Sequence, residues 1–163
     1  MNARVGLGFD VHALGSDGPL VLGGVELPGP GLEGHSDADV VAHAVSDALL
    51  GAAALGDLGT LFPDSDDRYR GANSIDLLRQ VAERVHDAGW SVENVDIVVA
   101  AEEPRLAPHV AAMAANLVDA MAAAEPGDEE ITVSVKPKRA EGLGTIGRGE
   151  GIAAWAVALL ARP

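Results

Sequence analysis

A chain of 163 residues, 48% of them hydrophobic, can bury one sizeable core, which excludes disorder as its main state and fits a single domain. Eleven basic residues against 25 acidic ones give a formal charge of −14 at pH 7, which argues against general affinity for nucleic acid or an anionic membrane. No cysteine is present, so disulfides, thiolate nucleophiles and cysteine-ligated metal sites are excluded, and His, Asp and Glu remain as metal ligands.

Residues 1–10 lack the basic-then-apolar pattern of a leader, and the longest apolar run, 152–161, falls well short of the ~18 residues of a membrane span, so a soluble cytoplasmic protein is expected. Val5, Leu7 and Phe9 alternate up to Asp10 as a half-buried strand does. Residues 20–27 read as a hairpin around Gly23 and Gly24, with loop between it and the first strand. Ser36 is the expected N-cap of a helix that has Asp37 and Asp39 in its first turn, runs to about Leu55 and stops at Gly56. A polar loop over 56–71 follows, and then Asn73 or Ser74 caps a second helix carrying Ile75, Leu78, Ala82 and Val85 at helical spacing and ending at Gly89. Val95, Ile97 and Val99 form a strand, Pro104 interrupts, and 108–124 is a third helix closed by Pro126 and Gly127. Ile131, Val133 and Val135 alternate again, 137–151 is a Gly-rich basic loop, and 152–161 is a buried strand in preference to a short helix. Strands and helices thus interleave in one domain over 1–163 with a sheet mixing parallel and antiparallel pairs.

Asp10 and His12 are two apart in an extended segment, so both side chains leave the same face and can converge on one ion. His43 sits in the otherwise apolar helical run Val40-Val-Ala-His-Ala-Val45, where an imidazole without a partner would carry a desolvation cost. Asp39 and Asp47 lie four residues either side of it, and either could fix its tautomer. Taken alone, each feature is as readily a satisfied core histidine or a strand-end turn; together the three favour a metal, and two imidazoles with one carboxylate suit a zinc site that keeps a fourth position open.

His35 and Ser36 precede the helix, where backbone N–H groups, a hydroxyl and the helix dipole are available to an anion, although an ordinary N-cap explains them equally. Asp57, Asp64 and Asp66 crowd a loop that could bind hydroxyls or a divalent ion, or simply be solvated. Both lysines of the chain, Lys136 and Lys138, stand beside Arg139, with Arg148 a short Gly-rich loop further on. This patch is expected to meet an anion, and Glu141 within it could ligate magnesium bridging two phosphates.

These motifs, Gly8-Phe-Asp-Val-His12, His35-Ser-Asp-Ala-Asp-Val40 with His43, Asp47-Ala-Leu-Leu-Gly-Ala-Ala-Ala-Leu-Gly-Asp57, Leu61-Phe-Pro-Asp64 and Gly147-Arg-Gly-Glu-Gly-Ile152, resemble the 2-C-methyl-D-erythritol 2,4-cyclodiphosphate synthases over essentially the whole chain. The resemblance implies an α+β two-layer sandwich, a mixed sheet with helices on one face, and a homotrimer with active sites between subunits. The implied reaction is metal-assisted attack of the 2-phosphate of 4-diphosphocytidyl-2-C-methyl-D-erythritol 2-phosphate on its β-phosphate, giving the cyclic diphosphate and CMP, a phosphorus–oxygen lyase step of non-mevalonate isoprenoid synthesis. It assigns Asp10, His12 and His43 to zinc and Glu141 to magnesium or manganese. It makes His35 a catalytic residue that stabilises the transition state, with Ser36 beside it on the 2-phosphate and erythritol part. Asp57, Leu58 and Gly59, then Phe62, Pro63, Asp64, Ser65 and Asp66, match methylerythritol-binding loops, and Val11 lies between two ligands that also contact substrate. Ala101, Glu102, Glu103, Pro104, Arg105, Leu106 and Ala107 occupy the place of cytidine recognition through backbone groups, which requires the two Glu carboxylates to point to water. Lys138, Arg139, Ala140, Glu141, Thr145 and Arg148 fall among the remaining substrate contacts.

The chain departs from the family pattern at Lys136-Pro-Lys-Arg-Ala140, where many members carry threonines and assign one of them to transition-state stabilisation. Arg139 stands at that threonine's position, and Arg139 or Lys138 is expected to bind phosphate in its place, since a guanidinium offers a charge and two donors. A non-catalytic nucleotide or isoprenoid-phosphate binding trimer and a metal-dependent phosphohydrolase are the alternatives; no membrane or nucleic-acid partner is expected.

Overall fold

Residues 2–124 and 131–162 are described in the computed structural model; Pro126 and Gly127, the expected stop of the third helix, lie outside them. The chain runs through β1 (Asn2–Ser16), β2 (Leu20–Leu22), β3 (Val25–Leu27), β4 (Gly31–Leu32), α1 (Val40–Ala53), α2 (Leu58–Leu61), α3 (Ser74–Asp87), β5 (Ser91–Ala100), α4 (Val110–Ala122), β6 (Thr132–Lys138), α5 (Gly144–Gly147) and β7 (Gly151–Arg162). Five strands form one mixed sheet in the order β4-β1-β7-β5-β6, and β2 pairs with β3 apart from it. All pairs are antiparallel except β5 with β6, whose parallel register requires the crossover that α4 provides. Among the described residues no helix is long and apolar enough to cross a membrane.

One face of the sheet is covered by helices: α1 lies on β1 and β7, α4 lies on β6, and α3 packs against both helices. Along β5 and β7, Val95, Ile97, Val99, Ile152, Ala154, Ala156, Ala158 and Leu160 are buried in the period-two pattern of strands with one face in a core. β1 follows the same period with an inverted outcome. Val5, Leu7, Phe9 and Val11 are exposed, while Gly6 and Gly8 are the buried residues beneath α1. The expected half-buried strand is present, but its apolar side faces away from this chain's core. Phe9 stacks there against Trp155 of β7, with ring centroids 5.1 Å apart.

Several boundaries differ from expectation. β1 continues to Ser16, so Asp10 and His12 lie inside a long strand, where pairing with β7 from Asn2 to Ala13 fixes their orientation. Asp39, not Ser36, is the N-cap of α1; its carboxylate accepts Val41 N–H and Ala42 N–H. The same carboxylate accepts the N–H groups of Gly23 and Gly24, so the fully buried Asp39 joins the β2–β3 turn to the start of α1. No anion from outside can use that helix terminus, because a side chain of the protein already occupies it. The helix ends at Ala53, with Ala54 in the left-handed region, rather than at Gly56. β6 extends to Lys138, which takes Pro137 and Lys138 out of the expected loop.

Candidate active site

Asp10 and His12 continue the helix-facing side of β1 beyond Gly6 and Gly8, and His43 descends from α1 to meet them. Asp10 Oδ2 lies 3.0 Å from His12 Nε2 and 2.9 Å from His43 Nδ1. One ligand atom from each residue falls within 4.8 Å of the others, the spread of a three-residue metal site. The His12 Nδ1–H donates to the Glu33 carbonyl, which leaves Nε2 as the coordinating nitrogen. Burial alone would push the Asp10 carboxyl up, but hydrogen bonds and charge from the two imidazoles hold it well below the ordinary carboxylate range. The hydrogen bond to Asp10 in turn lifts the His12 pKa, against the opposing effect of burial. Two nitrogen donors and one oxygen donor at this spacing could hold a divalent metal ion.

The partner that orients His43 is neither Asp39 nor Asp47. Asp47 accepts Leu58 N–H at 2.7 Å and Asp39 is the helix cap, whereas His43 Nε2 lies 2.8 Å from Ser74 Oγ and 3.1 Å from Ser36 Oγ. Ser36, displaced from its expected capping role, is therefore a neighbour of the metal site through its side chain.

A cavity of about 250 Å³ opens over the three ligands and is lined further by His35, Ser36, Leu58, Gly59, Phe62 and Asp64. His35 is tethered by a 3.2 Å hydrogen bond from Nε2 to the Asp66 carbonyl. Asp57 caps α2, accepting Thr60 N–H, and the Asp66 carboxylate pairs with Arg68, so neither carboxylate is directed at the cavity as expected. Pro63 and Ser65 complete the loop without lining the cavity. Tyr69 and Leu77 line it instead, and Tyr69 meets Phe62 edge to face at 5.1 Å; nothing in their spacing marked them in the sequence.

A second cavity, about 280 Å³, is walled by Ala101, Glu102, Pro104, Arg105, Leu106, Ala107, Pro137, Lys138 and Arg139. The structure brings the 101–107 segment and the basic segment together as expected, with one correction. Glu102 does not point to water: its carboxylate accepts Arg139 Nη2 at 2.8 Å and Ala140 N–H at 3.2 Å, and the guanidinium holds it below its ordinary pKa. The expected anion-seeking patch is largely matched within the chain, since Lys136 pairs with Asp96 and Arg148 with Glu150. Glu141 and Thr145 are exposed and line neither cavity; Arg148 and Glu103 border a third hollow beside Pro28 and Pro30. Among the described residues, Glu141 belongs to no cluster of three or more metal-ligating side chains.

Residues 3–161 match the YgbB family. The chain belongs to the YgbB family. It is 55% identical over 160 residues to the 2-C-methyl-D-erythritol 2,4-cyclodiphosphate synthase of Bordetella petrii, a match covering 98% of this chain and 96% of that protein. Among solved structures it resembles the bifunctional IspDF of Campylobacter jejuni, with TM-score 0.89 and 42% identity over 98% of this chain; the match spans 42% of that longer chain. It also resembles a CDP complex of IspF from Plasmodium falciparum, with TM-score 0.81 and 32% identity, covering 98% of this chain and 96% of that one.

Proposed function

We propose that this chain converts 4-diphosphocytidyl-2-C-methyl-D-erythritol 2-phosphate to 2-C-methyl-D-erythritol 2,4-cyclodiphosphate and CMP, as a phosphorus–oxygen lyase of isoprenoid precursor synthesis in the cytoplasm. The observation that carries the proposal is the convergence of Asp10, His12 and His43 beneath a cavity, in a chain 55% identical to a synthase of that name.

The 2-phosphate oxygen forms a bond to the β-phosphorus while the bond from that phosphorus to the CMP oxygen breaks. Attack between two polyanionic groups of one molecule needs folding and charge neutralisation more than a protein nucleophile. Asp10, His12 and His43 would hold zinc, and Glu141 would hold magnesium or manganese; such ions neutralise phosphate charge and polarise phosphorus–oxygen bonds. His35, whose Nε2–H donates to the Asp66 carbonyl, is held at the cavity wall, where as an imidazolium it can donate its Nδ1–H to a phosphate oxygen. Leu58, Gly59 and Phe62 give that cavity an apolar side suited to the methylerythritol carbons.

The second cavity suits the cytidine end: Pro104 and Pro137 stiffen its walls, and Lys138 and Arg139 stand at its margin to meet the diphosphate. That the Plasmodium falciparum relative was solved as a CDP complex supports a cytidine nucleotide as the ligand. In the present chain Arg139 takes the place of the threonine that many members carry, and we assign it to phosphate binding.

A homotrimer with sites shared between subunits is supported by two features. Val5, Leu7, Phe9, Val11, Trp155 and Val157 leave the open sheet face apolar and exposed, a surface that a second copy can bury. The two cavities share no lining residue, and β1 stands three strand spacings, about 14 Å, from β6. One substrate would then join the metal site of one subunit to the cytidine cavity of the next.

Chromatography of the reaction tests the proposal. Supplied with substrate, zinc and magnesium, the protein should release CMP in equal amount to a cyclic diphosphate. A linear diphosphate or inorganic phosphate would mark a hydrolase, and binding without turnover would mark a sensor; either overturns it.

A further inference from the structure

The cations around the second cavity are not equivalent. Lys136 pairs with Asp96, Arg148 with Glu150 and Arg139 with Glu102, whereas Lys138 joins no ion pair among the described residues. Glu102 takes up more than the guanidinium. One of its oxygens accepts from Arg139 Nη2 at 2.8 Å and the other accepts the Ala140 N–H at 3.2 Å, and its side chain is only 18% exposed. A phosphate makes the same demand as this carboxylate: a guanidinium and a neighbouring backbone N–H converging on two anionic oxygens. Glu102 therefore holds, as a tethered anion, the donors that Arg139 and Ala140 would offer to a phosphate.

The fold does not need this bridge to hold the two segments together. β5 and β6 are already in register up to Ala100 and Lys138, and the Ala101 N–H carries the pairing one step further by donating to the Lys138 carbonyl at 3.0 Å. The main chain thus reaches the cavity aligned, and the Glu102 side chain adds its contact beyond that point. Glu102 also has somewhere to go. It lines both the second cavity and the third hollow, about 570 Å³, which Arg148 borders, so a displaced carboxylate finds open space and a second guanidinium on its other side.

We propose that Glu102 is a specificity-determining residue that competes with the substrate diphosphate for Arg139 and the Ala140 N–H, so that an anion binds there only by displacing the carboxylate. A tethered carboxylate acts at high effective concentration, which keeps out small monovalent anions. A diphosphate carries more charge and meets the unpaired Lys138 at the cavity wall, so it can take the donors over. The inference rests on reading the second cavity as the cytidine and diphosphate end of the site.

Calorimetric titration of the full-length protein with CDP and with cytidine, both without metal, tests the inference on wild type, Glu102→Gln, Arg139→Ala and the double variant. Gln keeps an oxygen for the Ala140 N–H and removes the charge that holds the guanidinium. CDP should bind Glu102→Gln about 5- to 10-fold more tightly than wild type. Cytidine, which has no phosphate, should bind the two alike, a split that a merely structural contact would not produce. In the Arg139→Ala background the gain from Glu102→Gln should shrink to about twofold or less, because the contested donor is gone. Unchanged or weaker CDP binding in Glu102→Gln, equal tightening of cytidine, or the full gain without Arg139 would overturn the inference alone. Absence of CDP and cytidine binding in all four proteins would overturn the reading of the cavity itself, and the inference with it.

Discussion

Gly8 lies so close beneath α1 that a Cβ built on it would sit 1.9 Å from the carbonyl oxygen of Ala44, and Gly6 stands in the same relation to Ala48. Two turnless strand glycines let the helix carrying His43 approach the strand carrying Asp10 and His12. Any side chain at position 8 must push α1 away, beginning at the residue next to His43. Gly8→Ala should cost about 3 kcal/mol in denaturant unfolding, through backbone overpacking, and should weaken zinc uptake in the protein that still folds. Unchanged stability would mean that the helix does not rest on the glycine.

Asp39 offers a stability prediction away from the metal. Its buried carboxylate accepts four backbone N–H groups, from Gly23, Gly24, Val41 and Ala42. Asp39→Ala strands all four and should destabilise the chain by about 3 kcal/mol or more, read from urea unfolding. Loss of the β2–β3 turn should appear first, as faster amide exchange at Gly23 and Gly24.

The metal-free protein should show a characteristic pH dependence. His12, raised above its ordinary 6.5 by Asp10, contributes stability that is fully present below about pH 6.5 and is lost as pH rises through the raised value. Asp10, held low, contributes stability that is present above about pH 4 and is lost only as pH falls toward its depressed value. Chelator-treated protein should therefore melt at a higher temperature near pH 6 than near pH 9, and His12→Gln should shrink the difference. Zinc should reverse the trend, because protons compete for the imidazole that the metal needs. Scanning calorimetry with and without chelator measures both slopes.

Arg139 and Glu102 should act in opposite directions. Arg139→Ala removes a charged phosphate donor and should lower kcat/KM about tenfold or more. Glu102→Gln releases Arg139 from its 2.8 Å pairing and should lower KM for the substrate. Steady-state kinetics showing both parameters unchanged in Arg139→Ala would remove that residue from phosphate binding.

Much of the site was legible because its chemistry is local. The two-residue spacing of Asp10 and His12 and the lone imidazole in an apolar helix pointed to one cluster, and the structure assembles it. The sheet face of β1 was misjudged because glycine carries no hydropathy signal: Gly6 and Gly8 are the core-facing residues, and the apolar Val5, Leu7 and Phe9 lie opposite. Ser36 was a reasonable cap by residue type, yet Asp39 prevails because it also satisfies the turn at Gly23, a contact 16 residues distant. The acidic partners within the basic patch were not legible for a similar reason, since Asp96 and Glu102 come from β5 and the segment after it. Ser74 was invisible as a partner of His43 because only packing of α3 against α1 brings it there.

Asp10, His12 and His43 are proposed to form the metal site of a cyclisation reaction. Phosphorus-31 NMR of the protein with zinc, magnesium and 4-diphosphocytidyl-2-C-methyl-D-erythritol 2-phosphate, beside a His43→Ala variant, tests it most directly. The wild type should give resonances of the cyclic diphosphate and CMP, and the substrate should persist with the variant. Equal conversion by His43→Ala, or no cyclic product from folded, zinc-loaded wild-type protein, would contradict it.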